Sequence, residues 1–125
     1  MNEIERRILL IDERADANLH AAIVESGGKV TACNAPKEGW NLIYPVPPQL
    51  VVVHLYHPNR EDVAMLQECR FMAKGVPIVV ATTYEQTEIL KDLLEDRPAA
   101  FLVLPAGPDD VSRVFSEAEQ SVNSI

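Results

Sequence analysis

The chain has 125 residues, 47% of them apolar but only 6% aromatic, and a formal net charge of -8. That length supports one aliphatic core, so a single domain over residues 1–125 is expected, with its structured core spanning about 7–122. So acidic a surface repels phosphate backbones, no run is apolar enough to cross a bilayer, and Met1–Arg7 lacks the apolar centre of a signal peptide; a cytoplasmic protein that contacts neither nucleic acid nor membrane is expected.

Ile8-Leu9-Leu10-Ile11 is a short unbroken apolar run, which predicts a buried first strand, and it runs directly into Asp12 and Glu13. Ala15, Leu19, Ala22 and Ile23 recur at helical spacing, predicting a helix over 15–26 that Gly27-Gly28 ends. Lys29–Cys33 is a second strand. Asn34 is placed to cap a short helix with Pro36 in its first turn, cut off by Pro45, Pro47 and Pro48, with Trp40 over the sheet edge. Leu50-Val51-Val52-Val53-His54 has no polar break before its histidine, as a central strand buried on both faces should, and the chain must turn at about Pro58. A helix over 60–73 presents Met65, Leu66, Cys69, Met72 and Ala73 on one face and stops at Gly75. Pro77–Ala81 is a fourth strand ending in Thr82-Thr83. A helix over 85–95 turns Ile89, Leu90, Leu93 and Leu94 inward. Ala100–Leu104 is a fifth strand ended by Pro105, and Pro108 opens a last helix to about Val122, with Val111, Val114, Phe115, Ala118 and Val122 buried. Five strand–helix repeats with connections this short predict an α/β fold with a parallel sheet and helices on both faces.

Ligand chemistry in such sheets gathers beyond the carboxyl ends of the strands. The exit of the first strand, Asp12-Glu13-Arg14-Ala15-Asp16, carries no glycine-rich loop and would repel a phosphate, which removes dinucleotide and nucleoside triphosphate binding. No serine sits in a nucleophile elbow. Cys33 and Cys69 are far apart with no CxxC, and read as two buried thiols of a reducing compartment. His20 is expected at the surface.

From about Arg7 to Val122 the chain resembles the receiver domains of two-component response regulators. The resemblance rests on the acidic pair Asp12-Glu13, the third strand leading into His54-Leu55-Tyr56-His57-Pro58, Thr82 closing the fourth strand, and Phe101 in the fifth strand before Leu104-Pro105. It implies a flavodoxin-like (CheY-like) doubly wound sheet of five parallel strands in the order 2-1-3-4-5 with five helices, and a cis bond between Leu104 and Pro105. It also implies a phosphoacceptor pocket at Asp12, Glu13, His54, Thr82 and Leu104, with Thr82 and Phe101 as a switch pair. Two positions depart from the family. His54 stands where the family has the aspartate that accepts the phosphoryl group, and Leu104 stands where it has a lysine. Phosphoryl transfer needs a carboxylate nucleophile, magnesium held by hard oxygens and a cation for developing charge. His54 removes the first and part of the second, and Leu104 removes the third.

The expectation is therefore a degenerate, or pseudo-, receiver: not an enzyme, without a cofactor, working in signal transduction or transcriptional regulation by protein–protein contact. His54 is expected to fill the old pocket and bond Asp12 or Thr82, with His57 turned to solvent. The alternative is a regulatory module that binds a small ligand or metal at Asp12, Glu13 and His54, including weak magnesium on Asp12 and Glu13. The expected partner is another protein or a second copy of the chain. It would dock on the face made by the fourth helix, the strand at Phe101 and the last helix, where Glu88, Lys91, Asp92 and Glu95 stand against Arg97 and Arg113.

Overall fold

The computed structural model describes residues 6–43, 46–57, 59–94 and 97–123, without the side chains of Trp40, Leu42, Ile43, Val122 and Asn123. The expectations for Trp40, Pro58, Glu95 and the Val122 side chain lie outside the described residues. Ten elements alternate: β1 (Arg6–Asp12), α1 (Ala17–Glu25), β2 (Gly28–Cys33), α2 (Pro36–Ile43), β3 (Leu50–His54), α3 (Arg60–Met72), β4 (Ile78–Thr83), α4 (Tyr84–Leu93), β5 (Ala100–Leu104) and α5 (Pro108–Asn123). The sheet is parallel throughout, in the order β2-β1-β3-β4-β5.

Side chains alternate across a strand, and here both sets are apolar. Ile8, Leu10, Val52, Val79 and Leu102 face α1 and α5, meeting Leu19, Ile23, Val111 and Phe115. Leu9, Ile11, Val51, Val53 and Val80 face the other side, meeting Leu66 and Cys69 of α3, Ala73 just after it, and Leu90 of α4. Val51, Val52 and Val53 have no exposed surface, as the unbroken run predicts for a central strand. On that second side α2 sits close to the sheet because Gly39 has no side chain. A Cβ there would lie 2.8 Å from both Cys33 Sγ and Leu9 Cδ1.

Two helices differ from their spacing-based expectation. The first begins at Ala17, not Ala15. Asp16 Oδ1 accepts the amides of Asn18 and Leu19, so Asp16 is the cap and the helix cannot extend back through it. Ala15 is exposed and left-handed, with φ +52°. In α4, Ile89 and Leu93 point outward at 46% and 50% exposure, against the expectation that they are inward. The buried stripe is Thr87 and Leu90, with Leu94 packed beside them after the helix ends. Thr87 tolerates burial because its hydroxyl donates to the Thr83 carbonyl at 2.9 Å. Asn34 does not cap α2; the Gly39 amide donates to the Ala35 carbonyl, which makes Ala35 the flanking residue. Gly27, at φ +100°, takes the left-handed step after α1, and Gly28 already belongs to β2. His20 is half-buried rather than on the surface. The Leu104–Pro105 bond is cis, and Cys33 and Cys69 are free and buried. Among the described residues, no helix is long and apolar enough to cross a membrane.

Candidate functional site

Register places the site. β1 and β3 pair so that Asp12 lies opposite His54, and β3 pairs β4 so that His54 lies opposite Ala81. The carboxyl ends of three adjacent strands thus bring Asp12, His54 and Thr82 to one edge of the sheet, and all three are buried.

Asp12 is the hub. Its Oδ1 accepts the Arg14 amide at 3.1 Å and the Tyr56 hydroxyl. Its Oδ2 accepts the Asp16 amide at 2.9 Å and lies 3.1 Å from His54 Nδ1. An ionised carboxylate only accepts, so His54 Nδ1 carries the proton of that bond. Burial alone would raise the Asp12 pKa, but the hydrogen bonds from Tyr56, the Asp16 amide and His54, with the charge attraction of His54, outweigh it and hold the carboxyl below its ordinary value. The same contact acts on its partner with the opposite sign. Burial, then the hydrogen bond to Asp12 and the charges of Asp12 and Asp16, push the Tyr56 phenol well above its ordinary value.

Around this hub the rings close over the pocket. His54 and Tyr56 stack with centroids 3.9 Å apart and planes 23° from parallel. The Arg14 guanidinium lies 4.6 Å from the Tyr56 centroid and reaches His57 Nε2 at 3.2 Å. A cation over an aromatic face is favourable, and here it also covers the outer side of the stack. His57 is exposed, as expected, and its amide donates to Asp62 Oδ2 in the first turn of α3.

The other expected site residues are arranged differently. Thr82 Oγ1 donates to Gln86 Oε1 at 2.7 Å and not to His54. Gln86 Nε2 in turn donates to the Tyr56 carbonyl, so Gln86 ties β4 to the loop after β3. Glu13 is exposed, and no hydrogen bond or ion pair ties it to the cluster among the described residues. Leu104 is half-buried and packs against the core on the α1–α5 side of the sheet. Phe101 is half-buried on the opposite side, against the α3–α4 core. Tyr56, Arg14 and Gln86 are the members that motif matching does not single out. Tyr56 had a usable signal: it is two residues beyond His54, so an extended chain puts both on one face.

The donor set does not fit magnesium. That ion wants near-octahedral oxygen ligands, and both Asp12 oxygens already accept two protein donors each. Among the described residues, no three of His, Cys, Asp and Glu come together to hold a metal ion. The metal-binding alternative at Asp12, Glu13 and His54 therefore lacks its third ligand.

No family model matches the sequence, and no curated protein does. Solved structures do. NtrX from Brucella abortus superposes with a TM-score of 0.77 at 17% identity over 97% of this chain, which spans only 28% of the NtrX chain. A response regulator receiver domain protein (CheY-like) from Methanospirillum hungatei gives 0.67 at 20% identity, covering 97% of this chain and 98% of that one. A structure described as adenylate cyclase from Rhodopirellula baltica gives 0.70 at 18% identity, covering 97% and 92%. With the strand order and the five helices, these likenesses establish that the chain has the fold of CheY-like response regulator receiver domains.

Proposed function

We propose that this chain forms a pseudo-receiver domain. It acts in signal transduction or transcriptional regulation through protein–protein contact, without aspartyl phosphorylation, magnesium or enzymatic turnover. The observation that carries this reading is the occupied state of Asp12. In a working phosphoacceptor pocket the acid after the first strand must be free to bind a metal, and a second carboxylate must stand opposite it. Here four protein donors saturate the acid, and the residue opposite is itself one of those donors. A pocket closed on itself has no place for a transferred phosphoryl group or the cation that would stabilise it.

The partner surface in this reading is the face made by α4, β5 and α5. Ile89 and Leu93 on α4 and Val103 on β5 are exposed, and Phe101 is half-exposed on the same strand. Two ion pairs there lie each within one helix. Lys91 pairs with Glu88 at 3.2 Å and Arg113 with Asp110 at 3.3 Å; such exposed pairs contribute little, and the apolar side chains supply the attraction in this reading. A cytoplasmic setting, with no contact to nucleic acid, accompanies this reading.

The test is an amide NMR titration with magnesium and beryllofluoride, a mimic of a bound phosphoryl group. No saturable shift at Asp12, His54 or Thr82 is expected. Saturable shifts there, propagating to Phe101, would mean the pocket still works as a switch and would overturn the proposal.

A further inference from the structure

The opposite end of the sheet holds a cavity of about 320 Å³. It lies where the carboxyl end of α3 meets the segments entering β4 and β5. Arg70, Lys74 and Arg97 line it together with Val76, Pro77 and Pro98, and no Asp or Glu does so among the described residues. The chain carries 11 Lys and Arg against 19 Asp and Glu, so three cations around one cavity run against its composition.

The dipole of α3 accounts for two of them, since cations are favoured at helix carboxyl ends. It does not account for Arg97, which arrives from the segment before β5. Arg70 donates to the Arg97 carbonyl and so joins the two walls. Lys74 stands 5.4 Å from the centroid of the exposed Phe71 ring. Among the described residues, no carboxylate pairs with Lys74 or Arg97.

We propose that this cavity binds a small molecule bearing oxyanions, an organic phosphate or a polycarboxylate, through Lys74 and Arg97, with Arg70 fixing the walls. The volume lies at the small end of the range for ligand pockets, about 300–1,000 Å³. A guanidinium offers two parallel N–H donors to a phosphate or carboxylate edge, and an ammonium adds a point charge. Val76, Pro77 and Pro98 provide apolar contact for the body that carries the anion. This site is at the amino ends of β4 and β5, remote from Asp12, so its test is independent of the pseudo-receiver reading.

The experiment is an amide NMR titration of the whole chain with pyrophosphate, and separately with citrate, at ionic strength fixed by sodium chloride. Saturable shifts are expected at Lys74, Gly75, Arg97 and Ala99. The double variant Lys74→Glu/Arg97→Glu should bind at least about tenfold more weakly. Both residues are exposed, so the variant should keep its spectrum away from the cavity; if it does not, Lys74→Gln/Arg97→Gln replaces it. Tighter pyrophosphate assigns the site to phosphates, and tighter citrate assigns it to carboxylates. Shifts that never saturate with either anion, or an unchanged affinity in the double variant, overturn the proposal.

Discussion

Replacing Asp12 by Asn separates a structural acid from a metal-binding one by the sign of its effect. An acid held among other acids for a metal is repelled by them, and neutralising it stabilises the apo protein. Asp12 instead accepts four hydrogen bonds: from the Arg14 and Asp16 amides, the Tyr56 hydroxyl and His54 Nδ1. Asn keeps one acceptor oxygen and turns the other position into an NH2 donor. That donor meets either the Arg14 amide and Tyr56, or the Asp16 amide and His54. A hydroxyl can rotate and an imidazole can change tautomer to accept from it, but a backbone amide can do neither. One amide is therefore opposed, and at least two charge-assisted bonds are lost or weakened. Hydrogen bonds to charged groups contribute about 1.5–3 kcal/mol each, and one of the two is partly recovered, so the cost is about 2–3 kcal/mol. For a chain of this length that lowers Tm by roughly 6–12 °C. Urea unfolding followed by circular dichroism at pH 7 measures it. The pH dependence adds a second check. The folded-state pKa of Asp12 is depressed, so its contribution is fully present above the unfolded carboxyl value of about 3.9 and is lost as pH falls through the lower folded value. Titration of Asp12 itself should leave the gap between wild type and variant unchanged above about pH 5 and shrink it only in strong acid. A variant more stable than wild type at pH 7 would refute the hydrogen-bonded arrangement.

Other substitutions and a labelling test address the packing and the partner face. Gly39→Ala would stabilise an exposed helix by about 1 kcal/mol, yet here it should destabilise by about 1–2 kcal/mol because the new Cβ meets Cys33 Sγ and Leu9 Cδ1 at 2.8 Å; chemical unfolding reads the sign. Phe115→Ala, at a side chain with no exposure, should cost about 3–5 kcal/mol in the same assay. Cys69 should resist alkylation at pH 8 until the chain unfolds, since burial, with the charge of Glu68, pushes its thiol up to about 12; rapid native-state labelling, read by mass spectrometry, would contradict the buried position. Ile89→Glu with Leu93→Glu should change stability by less than about 0.5 kcal/mol because both side chains are already exposed, while abolishing any self-association seen by ultracentrifugation; a large loss of stability would mean they face the core after all.

The parts of the fold that were legible in the sequence are those where one physical effect dominates. Val51, Val52 and Val53 admit no amphipathic alternative, so a strand buried on both faces is the only outcome for them. Helix α4 was harder because Ile89, Leu90, Leu93 and Leu94 offer two overlapping stripes. The sheet selects the stripe through Leu90 and leaves Ile89 and Leu93 to solvent. That choice places polar Thr87 in the core, which hydropathy alone argues against and only the hydrogen bond to the Thr83 carbonyl permits. The start of α1 was misplaced for a related reason, since Ala15 continues the apolar spacing but Asp16 caps the helix one step later.

The site was legible as a location and less so as a network. Pairing β1 with β3 brings Asp12 opposite His54, and that much follows from two apolar runs ending in polar residues at the same edge. What does not follow is which donors the acid will choose. A phosphoacceptor pocket supplies the names Glu13, Thr82 and Leu104, but the protein satisfies Asp12 through Tyr56 and through two amides of its own loop. With His54 opposite Asp12, a donor stands where a carboxylate would repel, and the loop after β1 folds back onto the acid. Tyr56 then has both a stacking partner in His54 and a hydrogen-bond acceptor in Asp12, and the Arg14 guanidinium caps the outer face of its ring. The three contacts meet at Tyr56, and two substitutions separate them. Tyr56→Phe keeps the stack and removes only the hydroxyl bond, and should cost about 1–2 kcal/mol. His54→Ala removes the stack and the Nδ1 hydrogen bond to Asp12, and should both cost more and release Arg14 from Tyr56. That release would appear as a sharpened, solvent-like Arg14 side-chain NMR signal. If His54→Ala cost no more than Tyr56→Phe, the stack would be incidental and the histidine would not be what closes the pocket.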